Sequence, residues 1–268
     1  MHIILGGGGS NEQTIISNKL FESIIDPNKP ILYIPLAMEP HRYDGCLAWI
    51  NGDEFSNIKH GEFVMVRDVT EIQNHNLGDY AAIFIGGGNT YHLLQRLKDS
   101  SAFQQIKEYL DNGGVVYGGS AGAIIFGKDI DACLYMDTND LNFGDTGGFD
   151  MLFGCSFTAH YTNQDAAKHK AATEYLTQYS TKEPVVALPE ENSLYTDGII
   201  VKVVGMRPWY VFNSGTIKQF KPNTEYTKNE FISIIKLFSV SLSKAIIFLS
   251  FTTSLLIFLS NNKLPFLS

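Results

Sequence analysis

Arginine is scarce in this chain. Its 268 residues hold four, Arg42, Arg67, Arg96 and Arg207, and 28 acidic side chains outnumber 20 basic ones for a net charge of −8. Binding to nucleic acid draws on clustered lysine and arginine to neutralise phosphates, so this balance argues against a nucleic-acid partner. Cysteine is equally sparse. Cys46, Cys133 and Cys155 form an odd set without metal-ligand spacing, which speaks against a disulfide framework and reads as reduced thiols of a cytoplasmic protein. No His/Cys/Asp cluster has ligand spacing and no Gly-Lys-Ser/Thr follows a glycine run, so neither a metal nor any other cofactor is expected. The apolar run at 1–5 is too short for a secretory signal and lacks a basic flank.

What is present is apolar sequence in short runs. Hydrophobic residues make up 44% of the chain, enough for one sizeable core. Strands are predicted at 2–5, 30–35, 62–67, 80–85 and 114–117. Helices are predicted between them, over 12–25, around 46–55, after the glycines at 86–88, and over 102–110. Strands apolar on both faces and separated by helices imply an α/β fold, a parallel sheet with helices on both faces. After about residue 128 the pattern changes. The stretch 129–149 is rich in Asp, Asn and Gly and reads as loop. A short strand at 156–160 and a helix over 165–179 follow. Then come strands at 185–188, 193–196, 199–203, 210–212 and 217–220, with tight turns at Asp197-Gly198 and Ser214-Gly215. The sheet is therefore expected to be parallel with mixed edges.

From residue 231 to 259 the chain is almost entirely Ile, Leu, Phe, Ser and Thr, with Lys236 and Lys244 as interruptions. Residues 245–259 are uncharged, somewhat short of the roughly 20 residues that span a bilayer. Three readings stand side by side: a membrane anchor, a helix packed on the domain or a partner, and a segment outside the working fold. The expected organisation is one domain over 1–222 and a hydrophobic tail over 223–268, with membrane contact through the tail and a homodimer left open.

The chemistry concentrates at Gly118-Gly119-Ser120-Ala121-Gly122. A strand, then G-x-S-x-G, then a helix is a nucleophile elbow, in which small neighbours admit a strained serine at the start of a helix. The same pentapeptide also serves as a plain strand–helix junction with a capping serine. A serine hydroxyl needs a base and an oxyanion hole to act. Gly86-Gly87-Gly88-Asn89 ends the neighbouring strand, where backbone N–H groups can turn toward a substrate oxygen, with the Ala121 N–H as second donor. Of the seven histidines, His160 ends a short strand and is the candidate base. Asp137, Asp140, Asp145 and Asp150 are its acidic partners within reach, and spacing does not choose among them.

Five stretches, IFIGGGNTYHLL at 83–94, VVYGGSAGAIIFG at 115–127, DTNDLNFGDTGGFDML at 137–152, AHYTN at 159–163 and VVALPEENSLY at 185–195, resemble the peptidase E and cyanophycinase family of serine peptidases. The resemblance covers about residues 1–220. It implies a fold like that of class I glutamine amidotransferases, with serine in place of cysteine on the elbow. By position it makes Ser120 the nucleophile, His160 the general base and Asp140 the acid, with Asp137 as rival. Gly88 and Ala121 then supply the oxyanion donors, and Asn89 and Glu190 contact substrate. The implied activity is hydrolysis of short peptides, as a dipeptidase or exopeptidase, through an acyl-enzyme. An amidase, isopeptidase or esterase, or a silent binding protein, are the alternatives on the same scaffold. The family branch that removes N-terminal aspartate favours an arginine in the helix after the histidine. Here that helix carries Lys168, Lys170 and Glu174, leaving a lysine or Arg207 as substitutes, and Glu190 or Glu191 to bind a substrate amine.

Overall fold

The structure, a computed structural model, describes residues 1–236. Five strands run parallel: β1 (His2–Gly6), β2 (Ile31–Ile34), β3 (Phe63–Met65), β4 (Ala82–Ile85) and β5 (Val115–Gly119). Helices α1 (Ile15–Ile24), α2 (Tyr43–Trp49), α3 (Thr90–Lys98) and α4 (Ala102–Asp111) fall between them, and the short α5 (Ala121–Ile124) follows β5. Later come β6 (Ser156–Thr158), α6 (Ala166–Tyr179), β7 (Val185–Ala187), β8 (Asn192–Thr196), β9 (Ile200–Gly205), β10 (Trp209–Asn213), β11 (Thr216–Phe220), β12 (Thr224–Thr227) and α7 (Lys228–Lys236).

These strands form an eight-stranded sheet of order β12-β9-β8-β1-β5-β4-β2-β3 and a four-stranded sheet of order β11-β10-β7-β6. In the larger sheet β8, β9 and β12 are antiparallel additions beside β1, which gives the mixed edge. Alternation along each central strand feeds two cores. Ile3, Leu5, Leu32, Ile34, Ile83, Ile85 and Val116 face one, while Ile4, Tyr33, Phe84 and Tyr117 face the other. Both faces are therefore buried, as the near-continuous apolar runs require.

Two local departures from the sequence reading bear on the site. The helix expected around 46–55 is α2, starting at Tyr43, followed by a π-turn over Ile50–Glu54 in which the Phe55 N–H reaches the Ile50 carbonyl at 3.1 Å. Asn51 and Gly52 are weak helix formers, and the regular ladder gives way at them. The boundary expected at 222 falls inside the folded unit. β12 pairs with β9, and Phe231 and Ile235 of α7 are buried in the main core. Strand and helix were hidden by the polar run KPNTEYTKNE, because an edge strand buries little and shows no apolar pattern. The rest of the apolar tail, from residue 237, lies outside the described residues. Among the described ones, no helix is long and apolar enough to cross a membrane.

Candidate active site

The carboxyl ends of β1, β5, β4 and β2 meet at one edge of the sheet, with Gly6 beside Gly119 and Ile85 beside Gly118. Ser120 stands there, between β5 and α5, with φ 51° and ψ −114°. A non-glycine residue in that region is strained and persists only where its surroundings impose it. The neighbouring glycines are part of that imposition. A Cβ on Gly118 would come within 2.1 Å of the Gly122 carbonyl oxygen, and one on Gly122 within 2.1 Å of the Ile85 oxygen.

A hydrogen-bonded chain runs from this serine. Ser120 Oγ lies 2.8 Å from His160 Nε2, and His160 Nδ1 lies 2.8 Å from Glu190 Oε1. A carboxylate only accepts, so Nδ1 carries the proton toward Glu190 and Nε2 is left bare to accept the serine O–H. His160 sits two residues past β6 and Glu190 three past β7. Because β6 and β7 are parallel neighbours, with Thr158 beside Ala187, their ends emerge together. The other Glu190 oxygen accepts from Gln13 Nε2 at 3.2 Å, and its backbone N–H donates to Asn163 Oδ1 at 2.9 Å. Asn163 Nδ2 in turn donates to Glu191 at 3.0 Å. His160 is itself held at φ 56°, with its N–H on the Gly7 carbonyl at 2.8 Å.

The acids expected beside His160 lie elsewhere. Asp140 accepts from His92 Nε2 at 2.7 Å. Asp137 accepts from the Thr90 N–H at 2.9 Å and the Thr90 hydroxyl at 2.5 Å, where its charge suits the N-terminus of α3. Asp145 pairs with Lys98 at 2.7 Å, and Asp150 accepts from the Gly154 N–H at 3.0 Å. The loop carrying them folds back on α3, so the acid on His160 is Glu190, which the sequence reading placed against substrate. Asn89, also expected on substrate, spends its side chain locally. Its Oδ1 caps α3 by accepting from His92 N, and its Nδ2 donates to the Thr138 carbonyl.

The two expected oxyanion donors do reach the serine's surroundings. Gly88, at φ +141°, lines the same cavity as Ser120, and a Cβ there would strike the Ala37 carbonyl oxygen at 2.2 Å. Ala121 opens α5, so its N–H has no acceptor within the helix. A helix of four residues has little macrodipole, so these free N–H groups matter more than the helix as a whole. On α6, Lys168 pairs with Asp165 and Lys170 with Glu174 on the exposed surface. Arg207 pairs with Glu191 at 3.3 Å. Burial raises the Glu191 carboxyl, but the Asn163 hydrogen bond and the Arg207 charge outweigh it, and the net shift is downward. None of these cations is the missing recognition arginine.

A cavity of about 530 Å³ opens beside Ser120 and His160. Tyr33, Phe84 and Tyr117 form aromatic wall, with Tyr33 and Phe84 stacked at 5.6 Å between centroids. Exposed His41, Arg42 and Trp49 lie at the rim, while Glu54 lines the cavity at 4% exposure. Burial pushes the Glu54 carboxyl up, more than the hydrogen bonds from its neighbours pull it down. The sequence reading passed over Glu54 and the Gly6–Gly9 run entirely. An acidic residue in a helix reads as a solvated face until the fold turns it inward.

A serine hydrogen-bonded to a histidine at the carboxyl edge of an α/β sheet belongs to a hydrolase of the serine type. The comparisons agree. The chain matches the model of peptidase family S51 over residues 2–204 and belongs to that family, as a serine peptidase. It is similar to peptidase E of Shewanella sp. (strain ANA-3), at 29% identity over 193 residues, which cover 68% of this chain and 76% of that one. Peptidase E of Shewanella denitrificans is 28% identical over 197 residues, covering 69% and 78%. In fold the chain resembles the crystal structure of a peptidase from an acI-B1 actinobacterium, with a TM-score of 0.66 at 19% identity, covering 84% of this chain and 96% of that one. The architecture is that of the class I glutamine amidotransferase-like fold.

Proposed function

We propose that the chain hydrolyses short peptides, with Ser120 as nucleophile, His160 as general base and Glu190 as the acid that holds His160. The observation that carries this reading is the unbroken chain of two 2.8 Å hydrogen bonds from Ser120 through His160 to Glu190. Ser120 Oγ attacks the scissile carbonyl as its proton passes to His160 Nε2. The turn at Ser120 acts as a nucleophile elbow, and the N–H groups of Gly88 and Ala121 receive the charge developing on the carbonyl oxygen. His160 then protonates the leaving amine. Water, deprotonated by the same imidazole, releases the acyl group and restores the serine.

The size of the cavity suits a substrate of a few residues. At its rim Arg42 meets no acidic partner among the described residues, which makes it the candidate for a substrate carboxylate, such as the free end of a dipeptide. The test is hydrolysis of a dipeptide panel by wild type and Ser120→Ala, with folding checked by circular dichroism. Turnover that disappears in the variant supports the reading. Equal turnover by both proteins, or none by folded wild type on any member, would overturn it.

A further inference from the structure

Glu54 is a carboxylate buried without a counter-ion on the wall of the substrate cavity. It ends the π-turn after α2, and such interruptions of a helix recur at functional sites. Its Oε2 accepts from the Asn11 N–H at 3.0 Å and its Oε1 from Asn18 Nδ2 at 3.1 Å. Both donors are neutral, and among the described residues no lysine, arginine or histidine forms an ion pair with it. A carboxylate offers about four acceptor positions, so capacity for a further donor remains. Burying a charge this way is costly unless something supplies the opposite one.

The surroundings tie this carboxylate to the reacting serine. Asn18 Oδ1 accepts from the Tyr117 hydroxyl at 3.2 Å, and Tyr117 stands on β5 three residues before Ser120. Tyr33, Phe84 and Tyr117 line the cavity with it and offer apolar surface and ring faces to a cationic group on an aliphatic stem.

We infer that Glu54 is a specificity residue that receives a cationic amino or guanidinium group of the substrate while the scissile carbonyl lies at Ser120. The inference rests on the proposed nucleophile. The cation has two sources, the peptide's own N-terminal ammonium or a basic side chain, and both present the same chemistry to the carboxylate. A purely structural Glu54, pinning the π-turn to Asn11, would leave no preference for charge.

The direct test needs no substrate. Titration of the full chain with n-butylammonium chloride, followed by NMR shifts, is expected to show binding that 1-butanol does not reproduce. Glu54→Gln is expected to weaken it about tenfold or more, while Ser120→Ala retains it. Equal binding of amine and alcohol, or unchanged binding in Glu54→Gln, overturns the inference. Kinetics then name the source. Lys-Ala, norleucine-Ala and their N-acetyl forms remove the side-chain charge and the terminal charge separately. The wild type is expected to lose about tenfold in kcat/KM, through KM, along one of those arms, and Glu54→Gln is expected to bring that ratio near one. An equal drop for all four substrates in Glu54→Gln would assign a structural role and sink the inference. Were Glu54→Gln not to fold, amine against alcohol on wild type still decides. Persistent turnover by Ser120→Ala would instead defeat the nucleophile assignment, so the two failures are distinct.

Discussion

The imidazole of His160 occupies the space where Gly8 would carry a side chain. A Cβ on Gly8 would stand 2.2 Å from His160 Cε1 and 2.4 Å from Nε2, and Gly8 is held at φ +97°. The loop after β1 is thus the seat of the histidine, with Gly7 receiving its N–H from one side and Gly8 flanking the ring.

Gly8→Ala is therefore expected to displace the imidazole rather than merely crowd it. A shift near 1 Å at a catalytic group costs on the order of 10²-fold in rate. Left-handed strain adds about 1 kcal/mol or more to the cost of folding. Steady-state kinetics beside a thermal melt separate the two. The expected result is kcat reduced about 10²-fold in a protein that still unfolds cooperatively. Near-normal kcat would show that the loop yields and that the seat is not rigid.

The second prediction sets Glu190 against Asp140. Glu190→Gln keeps the shape but lets the amide donate toward Nδ1, which turns the imidazole to the wrong tautomer. In serine peptidases of similar logic, a change of this kind lowers kcat by about 10⁴. Asp140→Asn disturbs only a partly exposed contact with His92 and is expected to change kcat less than about threefold. The pH–rate profile distinguishes the acid from a bystander: loss of Glu190 should shift the limb governed by His160, whereas loss of Asp140 should leave it in place.

These two acids mark how far the sequence could be read. Ser120 was legible because a strand, four small residues and a helix coincide, and His160 because it ends an apolar run. The parallel sheet was legible because strands buried on both faces show no polar alternation. Glu190 was not, because its place depends on β7 pairing in parallel with β6, a contact between segments some thirty residues apart. Asp140 stood nearer in sequence but belongs to a loop that packs on α3, and no local pattern encodes that choice. The glycines at 6–9 were visible, yet what they make room for is a residue more than 150 positions away.

Glu54 gives a prediction in pH. Its carboxyl is raised from 4.5 by burial, which outweighs the hydrogen bonds it accepts. An acid whose folded pKa lies above its unfolded value leaves the native state binding more protons than the unfolded one. Stability then falls as pH rises from about 4.5 through the folded pKa, and the penalty is complete above it. Thermal melts of wild type and Glu54→Gln from pH 4 to pH 8 are expected to show a downward drift in wild type that the variant lacks. Parallel curves would mean that Glu54 ionises as easily as an exposed carboxylate.

The last prediction concerns where the working fold stops. β12 and α7 lie past the point at which the polar sequence suggests a boundary, yet α7 contributes Phe231 and Ile235 to the main core. Phe231 stacks near Trp209 at 6.3 Å and meets Phe153 edge-on at 6.2 Å, and the Asn213 side chain donates to the Ile235 carbonyl. Phe231→Ala in the full chain removes a fully buried ring and is expected to cost about 3–5 kcal/mol. For a protein of this size that lowers Tm by roughly 10 °C. A chain ended after Lys221 loses the helix, the strand and both anchors at once, and it is expected to unfold at a lower temperature still or to aggregate. A chain ended after Lys236 keeps them. If the melt of the shorter chain matched that of the longer, α7 would be an ornament on the core rather than part of it, and the boundary near 222 would stand.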